Sequence, residues 1–424
     1  MVDLSRRQAL AFYSTAAGLA LVGNTGFGRA TQPELGGRLP PWTPGELEIH
    51  HLATGRGDAT VIVAPDGSIA LIDAGSVARP DPALVATSAE AARDTGKWIA
   101  DYIGRRLRDT GGSAVDAAAI THLHPDHVGA VLPNSHAELG KAYQPTGISS
   151  VAGRLPLRKL VDPCYLDYGY PPLEDRASIE NYIAFVRAFA AAGKVVERAR
   201  VGSTGQVLPD LIGPMPFSIR TVAARGSVWT GQGDDARSIF PARATLAEGN
   251  FPNENAMSAA FLLSFGDFRY FSGGDLTDWA DAGTRPWMNA LTPAARAVGR
   301  VDVAKLPHHG MFDGSSGETI RALAARDWII SAWHAAHPSI ETLERVYNPR
   351  LFAGERDVYA TALHPAAELV MGRLTSRFRS KRGNVICRVA ADGKSYRIVV
   401  TDASTDDDRV TRISPVRIAI AVNG

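Results

Sequence analysis

A histidine-rich segment at residues 121–129, with the sequence THLHPDHVG, constrains this chain more than any other feature. His122 and His124 stand two residues apart at the end of a short apolar run that predicts a β-strand, so both side chains point to the same side. Asp126 and His127 follow after a turn, at the predicted start of a helix, and can face the same space. Three imidazoles and a carboxylate within six residues suit a pair of divalent cations. The segment therefore predicts a metal site at the end of a strand.

The composition limits the ligands that can hold such cations. Only two cysteines, Cys164 and Cys387, occur in 424 residues, too few for a disulfide scaffold or a cysteine-rich zinc module. Any metal must therefore be held by histidine and carboxylate. The 45 Lys and Arg residues against 44 Asp and Glu give a formal charge of +1, so the totals contain no strong nucleic-acid-binding signature. The ordinary apolar content excludes a disordered chain, a collagen-like repeat and a coiled coil.

The amino terminus has the composition of an export signal. Arg6 and Arg7 precede a mostly apolar stretch over residues 9–22, which is too short to span a bilayer. Residues 28–30 then offer small side chains at the positions that a signal peptidase recognises. Together these features resemble a twin-arginine signal peptide over residues 1–30. The resemblance implies the twin-arginine export machinery as a partner and a periplasmic or secreted protein without a transmembrane segment; the alternative is an uncleaved helix or anchor.

The rest of the chain predicts one enlarged domain. Residues 31–45 are rich in Pro and Gly and predict a linker. Predicted strands and helices then alternate without a clean break, which favours one α/β catalytic domain over residues 46–400, followed by a C-terminal extension at 401–424. The segment from 136 to 250 contains no chemical motif, so we expect it to determine substrate specificity.

The HxHxDH pattern at 122–127 resembles the metallo-β-lactamase superfamily of hydrolases, and further pieces of that pattern follow in order. Asp73, in LIDAG, matches the superfamily's early Asp. Asp275, in SGGD, matches its metal-bridging carboxylate, and His308, in KLPHHG, matches its last His ligand. The resemblance covers roughly residues 46–400 and implies a four-layer αββα sandwich with a single catalytic domain.

Finer features resemble one branch of the superfamily. The sequences GRGDA at 55–59, NAMS at 255–258, HHG at 308–310 and the His337-Pro338 pair are similar to the hydrolase domain of ComEC-type competence proteins. Those proteins attach that domain to a DNA-uptake channel, and this chain has no predicted membrane helices to form one. The resemblance is therefore to stand-alone, exported relatives of the domain.

One ligand of the superfamily is missing from the pattern. The superfamily usually places a further His between the histidine cluster and the bridging Asp. The only His in that interval is His136, nine residues after His127, which is too close to be that ligand. The first metal site is then poorer in protein ligands, or is completed by water, Asn255 or Asp58. This predicts one tightly held ion and a weaker one, and counts against a typical two-zinc β-lactamase.

The resemblance implies two divalent cations, expected to be zinc, with manganese or iron as alternatives. Two such cations can hold a hydroxide at neutral pH, because each lowers the pKa of bound water, and they stabilise the negative charge that develops as it attacks phosphorus or a carbonyl. The expected arrangement places one ion on His122 and His124, the other on Asp126, His127 and His308, and Asp275 between them.

Other residues have two interpretations each. Asp126 is also a candidate to orient the nucleophile. Asp73 is expected to fix the imidazoles from behind, with a turn cap as the alternative, and Asp58 has a similar double interpretation. His309 is expected to face substrate, and His337 to donate a proton to a leaving group, with structural histidines as the alternative.

The sequence does not distinguish His308 from His309 as the ligand, and we favour His308 because it comes first after the predicted strand. The function most consistent with these residues is metal-dependent hydrolysis of phosphodiesters. Two alternatives stay open: hydrolysis of a C–N or ester bond, as in a β-lactam, lactone or thioester, and a non-catalytic metal-binding protein on a retired hydrolase fold.

Overall fold

The computed structural model describes residues 32–77, 81–88, 94–131, 142–280 and 283–421. The predicted signal peptide with Arg6 and Arg7 lies outside these residues, as does His136. Within the described ranges, no helix has both the length and the apolar character needed to cross a bilayer.

Strands of the described residues form two sheets. Their bounds are β1 Leu47–His51, β2 Thr60–Val63, β3 Ile69–Ile72, β4 Ala117–Ala119, β5 Lys159–Asp162, β6 Val195–Arg198, β7 Phe217–Ala224, β8 Ser227–Trp229, β9 Ala236–Ser238, β10 Ala260–Phe265, β11 Phe268–Ser272, β12 Val303–Lys305, β13 Asp327–Ile330, β14 Asp357–Ala360, β15 Asn384–Val389, β16 Ser395–Thr401, β17 Val410–Ile413 and β18 Arg417–Ile418. The first sheet has the order β17-β16-β15-β1-β2-β3-β4-β5-β6, with β18 also on β16. The second has the order β14-β13-β12-β11-β10-β7-β8-β9.

Helices cover the outer faces of both sheets. They are α1 Thr95–Thr110, α2 Pro125–Val128, α3 Gly147–Arg154, α4 Arg176–Ala191, α5 Leu291–Val298, α6 Gly317–Leu323, α7 Ile340–Val346, α8 Pro365–Val370 and α9 Gly372–Thr375. The start of α1 is fixed by Asp94, whose carboxylate accepts a hydrogen bond from the backbone N–H of Lys97 at 2.8 Å. Its end is fixed by Gly111, which adopts the left-handed φ of 71° that glycine favours.

The sheets pack face to face because their strands are apolar on both sides. In β3, Ala70 and Ile72 point into the core between the sheets, whereas Ile69 and Leu71 point outward into the core under α1, α3 and α4. A third core lies between the second sheet and helices α5 to α9. This sequence of helix, sheet, sheet and helix layers confirms the predicted four-layer αββα sandwich.

The first sheet continues beyond the boundary expected at residue 400. Strands β17 and β18 pair with β16, so the segment predicted as a C-terminal extension adds strands to the sheet. The predicted linker joins it there: the backbone N–H of Gly36 donates to the carbonyl of Val410 at 2.8 Å, and that of Leu39 to Asp408 at 2.9 Å.

Two sets of parallel strands determine where a site can form. Strands β3, β4, β5 and β6 run parallel in the first sheet, and β11, β12, β13 and β14 run parallel in the second. The carboxyl ends of parallel strands meet at one edge of a sheet, and loops at that edge can converge.

Candidate metal centre

The site residues follow the carboxyl ends of strands in both sheets. Asp73 comes directly after β3, and its backbone N–H donates to the carbonyl of Ala119 in β4 at 2.9 Å. His122 and His124 follow β4. Asp275 follows β11 in the second sheet, so the two sheets contribute opposite walls of one centre.

Four side chains, which we call the inner group, lie at the middle of this centre: Asp126, His127, Asp275 and His309. Asp275 Oδ2 is 3.2 Å from His127 Nε2 and 3.3 Å from His309 Nε2. Asp126 Oδ2 is 3.0 Å from His309 Nε2 and 3.5 Å from His127 Nε2. One ligand atom from each residue lies within 4.8 Å of the others, which is the spacing that a single cation needs.

Two further imidazoles, the outer pair His122 and His124, lie beside the inner group. His122 Nε2 is 3.1 Å from His124 Nδ1 and 3.8 Å from Asp275 Oδ2. His122 is fully buried, whereas the side chain of His124 is 19% exposed. Asp275, a member of the inner group, is thus also the residue that lies beside His122 of the outer pair.

The donor atoms of the inner group fit a divalent cation. Two imidazole nitrogens and two carboxylate oxygens are ligands that suit zinc, manganese or iron. Asp275 Oδ1 is also buried without a hydrogen-bond partner among the described residues. An unpaired buried carboxylate oxygen is costly unless a cation or a water occupies the space that it faces.

Asp73 holds the inner group from behind. Its carboxylate accepts hydrogen bonds from the backbone N–H and the hydroxyl of Thr121, both at 2.8 Å. It also lies 2.8 Å from His127 Nδ1, so that nitrogen donates to the carboxylate and Nε2 faces the inner group. Asp73 thus contacts the side of the His127 imidazole that points away from the inner group.

Asp58 lies behind the same wall in a buried ion pair with Lys305. Burial favours the neutral carboxyl, but the charge of Lys305 outweighs it and holds the pKa of Asp58 below its ordinary value. The backbone N–H of Asp58 donates to the carbonyl of Asp126 at 2.8 Å. The GRGD loop therefore fixes the start of α2, and the Asp58 carboxylate lies with that of Asp73 and the imidazole of His127, with one ligand atom of each within 4.8 Å of the others.

The inner group contains His309 and not His308, whereas the sequence favoured His308 as the metal ligand. Both residues have positive φ, 48° and 53°, so the chain turns sharply within Pro307–Gly310. That turn directs His309 Nε2 to the inner group, while its Nδ1 lies 2.8 Å from the carbonyl of Ser331. His308 faces away, with Nδ1 2.7 Å from Asp313 Oδ1.

Asn255 also differs from its expected place. It was a candidate to complete the first metal site, but its Nδ2 lies 3.2 Å from His308 Nε2. Within the described residues it therefore contacts the histidine outside the inner group, rather than the outer pair.

Two glutamates that the sequence did not indicate support the outer pair. Glu174 Oε2 lies 3.1 Å from His124 Nε2, and Glu254 Oε1 accepts a hydrogen bond from the backbone N–H of Leu123 at 3.0 Å. Burial opposes the charged form of His124, but the hydrogen bond to Glu174 and the charge of Asp126 raise its pKa above the ordinary value. Neither glutamate belongs to a sequence motif. Glu174 lies just before α4, and Glu254 lies between β9 and β10.

His337 packs against the inner group. Its ring stacks on His309 with centroids 4.5 Å apart, and Trp333 meets it edge-on at 4.9 Å. Burial, reinforced by the neighbouring His309, lowers the pKa of His337 well below its ordinary value. Its Nδ1 is buried without a hydrogen-bond partner among the described residues. His337 is therefore a neutral imidazole with a free nitrogen.

The carboxylates and imidazoles of the inner group hold one another in their charged forms. Burial opposes ionisation of Asp275, but His127 and His309 outweigh it and hold its pKa well below the ordinary value. Burial likewise opposes protonation of His309, yet Asp275 and Asp126 raise its pKa to about 10. The carboxylates therefore stay ionised, and a cation entering the group displaces protons from the imidazoles.

Residues 53–133 match the sequence model of the metallo-beta-lactamase superfamily. Among solved structures, the chain is similar to a diphosphatase from the PhnP family, with 12% identity, a TM-score of 0.33, and coverage of 81% of this chain and 97% of that one. A long-form RNase Z from yeast shows 10% identity, a TM-score of 0.36, and coverage of 79% of this chain and 44% of that one. A Cronobacter sakazakii metallo-beta-lactamase shows 13% identity, a TM-score of 0.28, and coverage of 63% and 78%. Comparison with curated protein sequences gives no match.

The four-layer sandwich, with its histidines and carboxylates at the carboxyl ends of the parallel strands, defines a metallo-β-lactamase-fold hydrolase. The segment that matches the superfamily model, residues 53–133, contains the HxHxDH pattern.

Proposed function

We propose that this protein is an exported hydrolase that uses two divalent cations to cleave phosphodiesters. The observation that carries the proposal is the position of Asp275, whose Oδ2 lies 3.2 Å from His127 Nε2 and 3.8 Å from His122 Nε2. A carboxylate between two sets of imidazoles is the arrangement that a bridged pair of cations needs.

The inner group and the outer pair would each hold one cation, of which zinc is the first candidate. Bound there, the cations lower the pKa of water and stabilise negative charge on a reacting phosphate. A phosphodiester already has one negative charge and gains more in the transition state, so a centre of positive charge stabilises that state more than the ground state.

The protein's own groups orient the reactants. Asp126 is 13% exposed, whereas His127 and Asp275 are almost fully buried, so Asp126 is the member of the inner group that substrate and water reach. Its carboxylate accepts a hydrogen bond from the attacking water and aims the lone pair of that water at phosphorus.

His337 assists departure of the leaving group. As water adds to phosphorus, the P–O ester bond breaks and the departing oxygen needs a proton. The neutral imidazole of His337 donates a hydrogen bond through its N–H to that oxygen and stabilises its charge, while the proton itself comes from the attacking water by way of Asp126. His309 holds the ring of His337 in place by stacking, with an angle of 17° between the planes.

A substrate panel tests the proposal. Metal-loaded protein is expected to hydrolyse bis(p-nitrophenyl) phosphate, and Asp126→Asn is expected to lose that activity. Asp267→Asn, in the hairpin turn between β10 and β11, is the matched control and keeps it. Turnover of a β-lactam, lactone or thioester with no turnover of phosphodiesters would overturn the proposal, and so would metal binding without any turnover.

Export is the second part of the proposal. It is supported by the Arg6-Arg7 pair, the following apolar stretch, and the similarity of the later motifs to stand-alone ComEC-type domains. Replacing both arginines by lysine is expected to leave the protein in the cytoplasm, as measured by cell fractionation. Unchanged delivery of that variant to the periplasm would contradict a twin-arginine signal.

A further inference from the structure

An exposed pair of aromatic rings lies on the two loops that supply metal-centre residues from the second sheet. Trp279 is 48% exposed and Phe312 is 44% exposed, and their rings meet edge to face with centroids 5.7 Å apart. Trp279 comes four residues after Asp275, and Phe312 comes three residues after His309. Because an extended chain spans about 3.5 Å per residue, each Cα atom lies at most about 14 Å from that of an inner-group residue. The pair therefore adjoins the metal centre.

Hydrogen bonds join the two loops to each other beside the site. The backbone N–H of Asp278 donates to the carbonyl of Asp313 at 2.9 Å, and that of His308 donates to the carbonyl of Gly274 at 3.1 Å. The second of these bonds joins the residues that directly precede two members of the inner group. The backbone that places the two aromatic rings is therefore the backbone that places those two members.

The loop that contains Phe312 is also held by side chains of α7. Arg345 Nη1 donates to the carbonyls of Phe312 at 2.9 Å and of Ser315 at 3.2 Å. The hydroxyl of Thr342 donates to the carbonyl of Met311 at 2.8 Å. Because the backbone is fixed at these carbonyls, a ligand that packs on Phe312 does not have to order a loose loop.

The two loops offer a ligand aromatic surface rather than charge. Asp278 Oδ2 accepts hydrogen bonds from the hydroxyl of Thr319 at 2.7 Å and from the backbone N–H of Ser316. Asp313 Oδ1 lies 2.7 Å from His308 Nδ1. Both acids beside the rings are thus engaged by protein groups. Neither stretch, 273–280 or 307–316, contains Lys or Arg, so these loops provide no ammonium or guanidinium group for a second phosphate.

We propose that Trp279 and Phe312 form a binding site, which we call the ring site, for an uncharged aromatic ring esterified directly to the reacting phosphate. The proposal rests on the proposed function and extends it to substrate class, namely aryl rather than alkyl phosphodiesters. The exposed parts of the two rings can pack against a third ring in the offset or edge-to-face arrangements that aromatic groups prefer. Such packing adds attraction beyond the burial of apolar surface, and an alkyl ester group cannot provide it.

Binding is measured first, without turnover, by calorimetry on the full-length zinc-loaded protein. The probes are phenylphosphonate and methylphosphonate, which share one anionic group and differ in the ring. Wild type is expected to bind phenylphosphonate about tenfold more tightly than methylphosphonate. The double variant Trp279→Ala/Phe312→Ala is expected to reduce this ratio of affinities to about one, through weaker binding of phenylphosphonate. Ile212→Ala/Leu369→Ala, which truncates two exposed apolar side chains on other segments, is the control and keeps the ratio.

Turnover separates the ring site from the chemistry. The double variant is expected to raise KM for bis(p-nitrophenyl) phosphate about tenfold, whereas kcat stays unchanged because the ring binds equally in the ground and transition states.

Equal binding of the two phosphonates by wild type, or an unchanged ratio in the double variant, would overturn the ring site. A ratio that the double variant abolishes, together with no hydrolysis of any phosphodiester, would overturn the proposed function and leave the ring site standing as a binding site. Equal loss of affinity for both phosphonates in the double variant would show that the rings support the metal centre, and would also contradict the ring site.

Discussion

The two halves of the metal centre differ in how the protein supports them. The inner group is buried and held by buried partners: Asp73 behind His127, and the Lys305–Asp58 ion pair behind Asp73 and α2. The outer pair is held at its exposed end by Glu174, whose side chain is 52% exposed. A charge held by buried partners is fixed strongly, whereas a half-exposed contact is screened by solvent. We therefore expect the inner cation to be held tightly and the outer one weakly.

Asp275 is the residue on which both halves depend, so Asp275→Asn is expected to have the largest effect. The amide cannot bridge two cations with a negative charge, and several kcal/mol of transition-state stabilisation are lost. We expect kcat/KM for phosphodiesters to fall by about 10⁴-fold and both cations to be lost in elemental analysis. Asp267→Asn, at the other end of the same hairpin, keeps both. Retention of two cations by Asp275→Asn would contradict this account, because it would show that the two cation sites do not share Asp275 as a ligand.

Lys305→Met tests the buried support of the inner group. It leaves Asp58 as an uncompensated buried charge, so the free energy of unfolding is expected to fall by about 3–5 kcal/mol. Urea denaturation measures this loss. The double variant Lys305→Met/Asp58→Asn is expected to recover part of it, because the unpaired charge is then absent. A single variant as stable as wild type would mean that the inner group needs no buried ion pair behind it.

His309→Ala against His308→Ala tests which histidine belongs to the inner group. Removing His309 takes away one ligand and the stacking partner of His337, and we expect kcat/KM to fall by about 10²-fold, with weaker binding of the tight cation. Removing His308 breaks only its contacts with Asp313 and Asn255, so an effect of about twofold is expected. The reverse order of effects would return the ligand role to His308.

Glu174→Gln addresses the outer pair alone and has the smallest expected effect. The neutral amide orients His124 less strongly, so affinity for the weaker cation is expected to fall by about 10-fold. Affinity for the tightly held cation is expected to stay unchanged. Calorimetric titration of metal-free protein resolves the two steps. Glu180→Gln, on the exposed face of α4, is the control. Equal loss of both cations would show that the halves are not supported separately.

Sequence reasoning captured the parts of the site that lie close together along the chain. The HxHxDH spacing predicted that four side chains would gather where a strand meets a helix, and β4 and α2 provide that junction. The αββα layers followed from the resemblance and were confirmed. Local patterns succeed here because the periodicity of a strand and the start of a helix determine the direction of each side chain.

Features that depend on backbone turns or on distant segments were not predictable. The presence of His309 rather than His308 in the inner group follows from two successive residues with positive φ, a conformation that only a few per cent of non-glycine residues adopt. Glu174 reaches His124 across 50 residues through packing of α4 beside the first sheet. Lys305 ends β12 in the second sheet, and the approach of the two sheets brings its ammonium group to Asp58 of the first.

Anomalous diffraction from crystals of the zinc-loaded protein tests the central claim most directly. The account predicts two peaks that share Asp275: a full-occupancy peak among Asp126, His127, Asp275 and His309, and a weaker one beside His122 and His124. A single peak bound by His308, or two peaks without Asp275 between them, would contradict it.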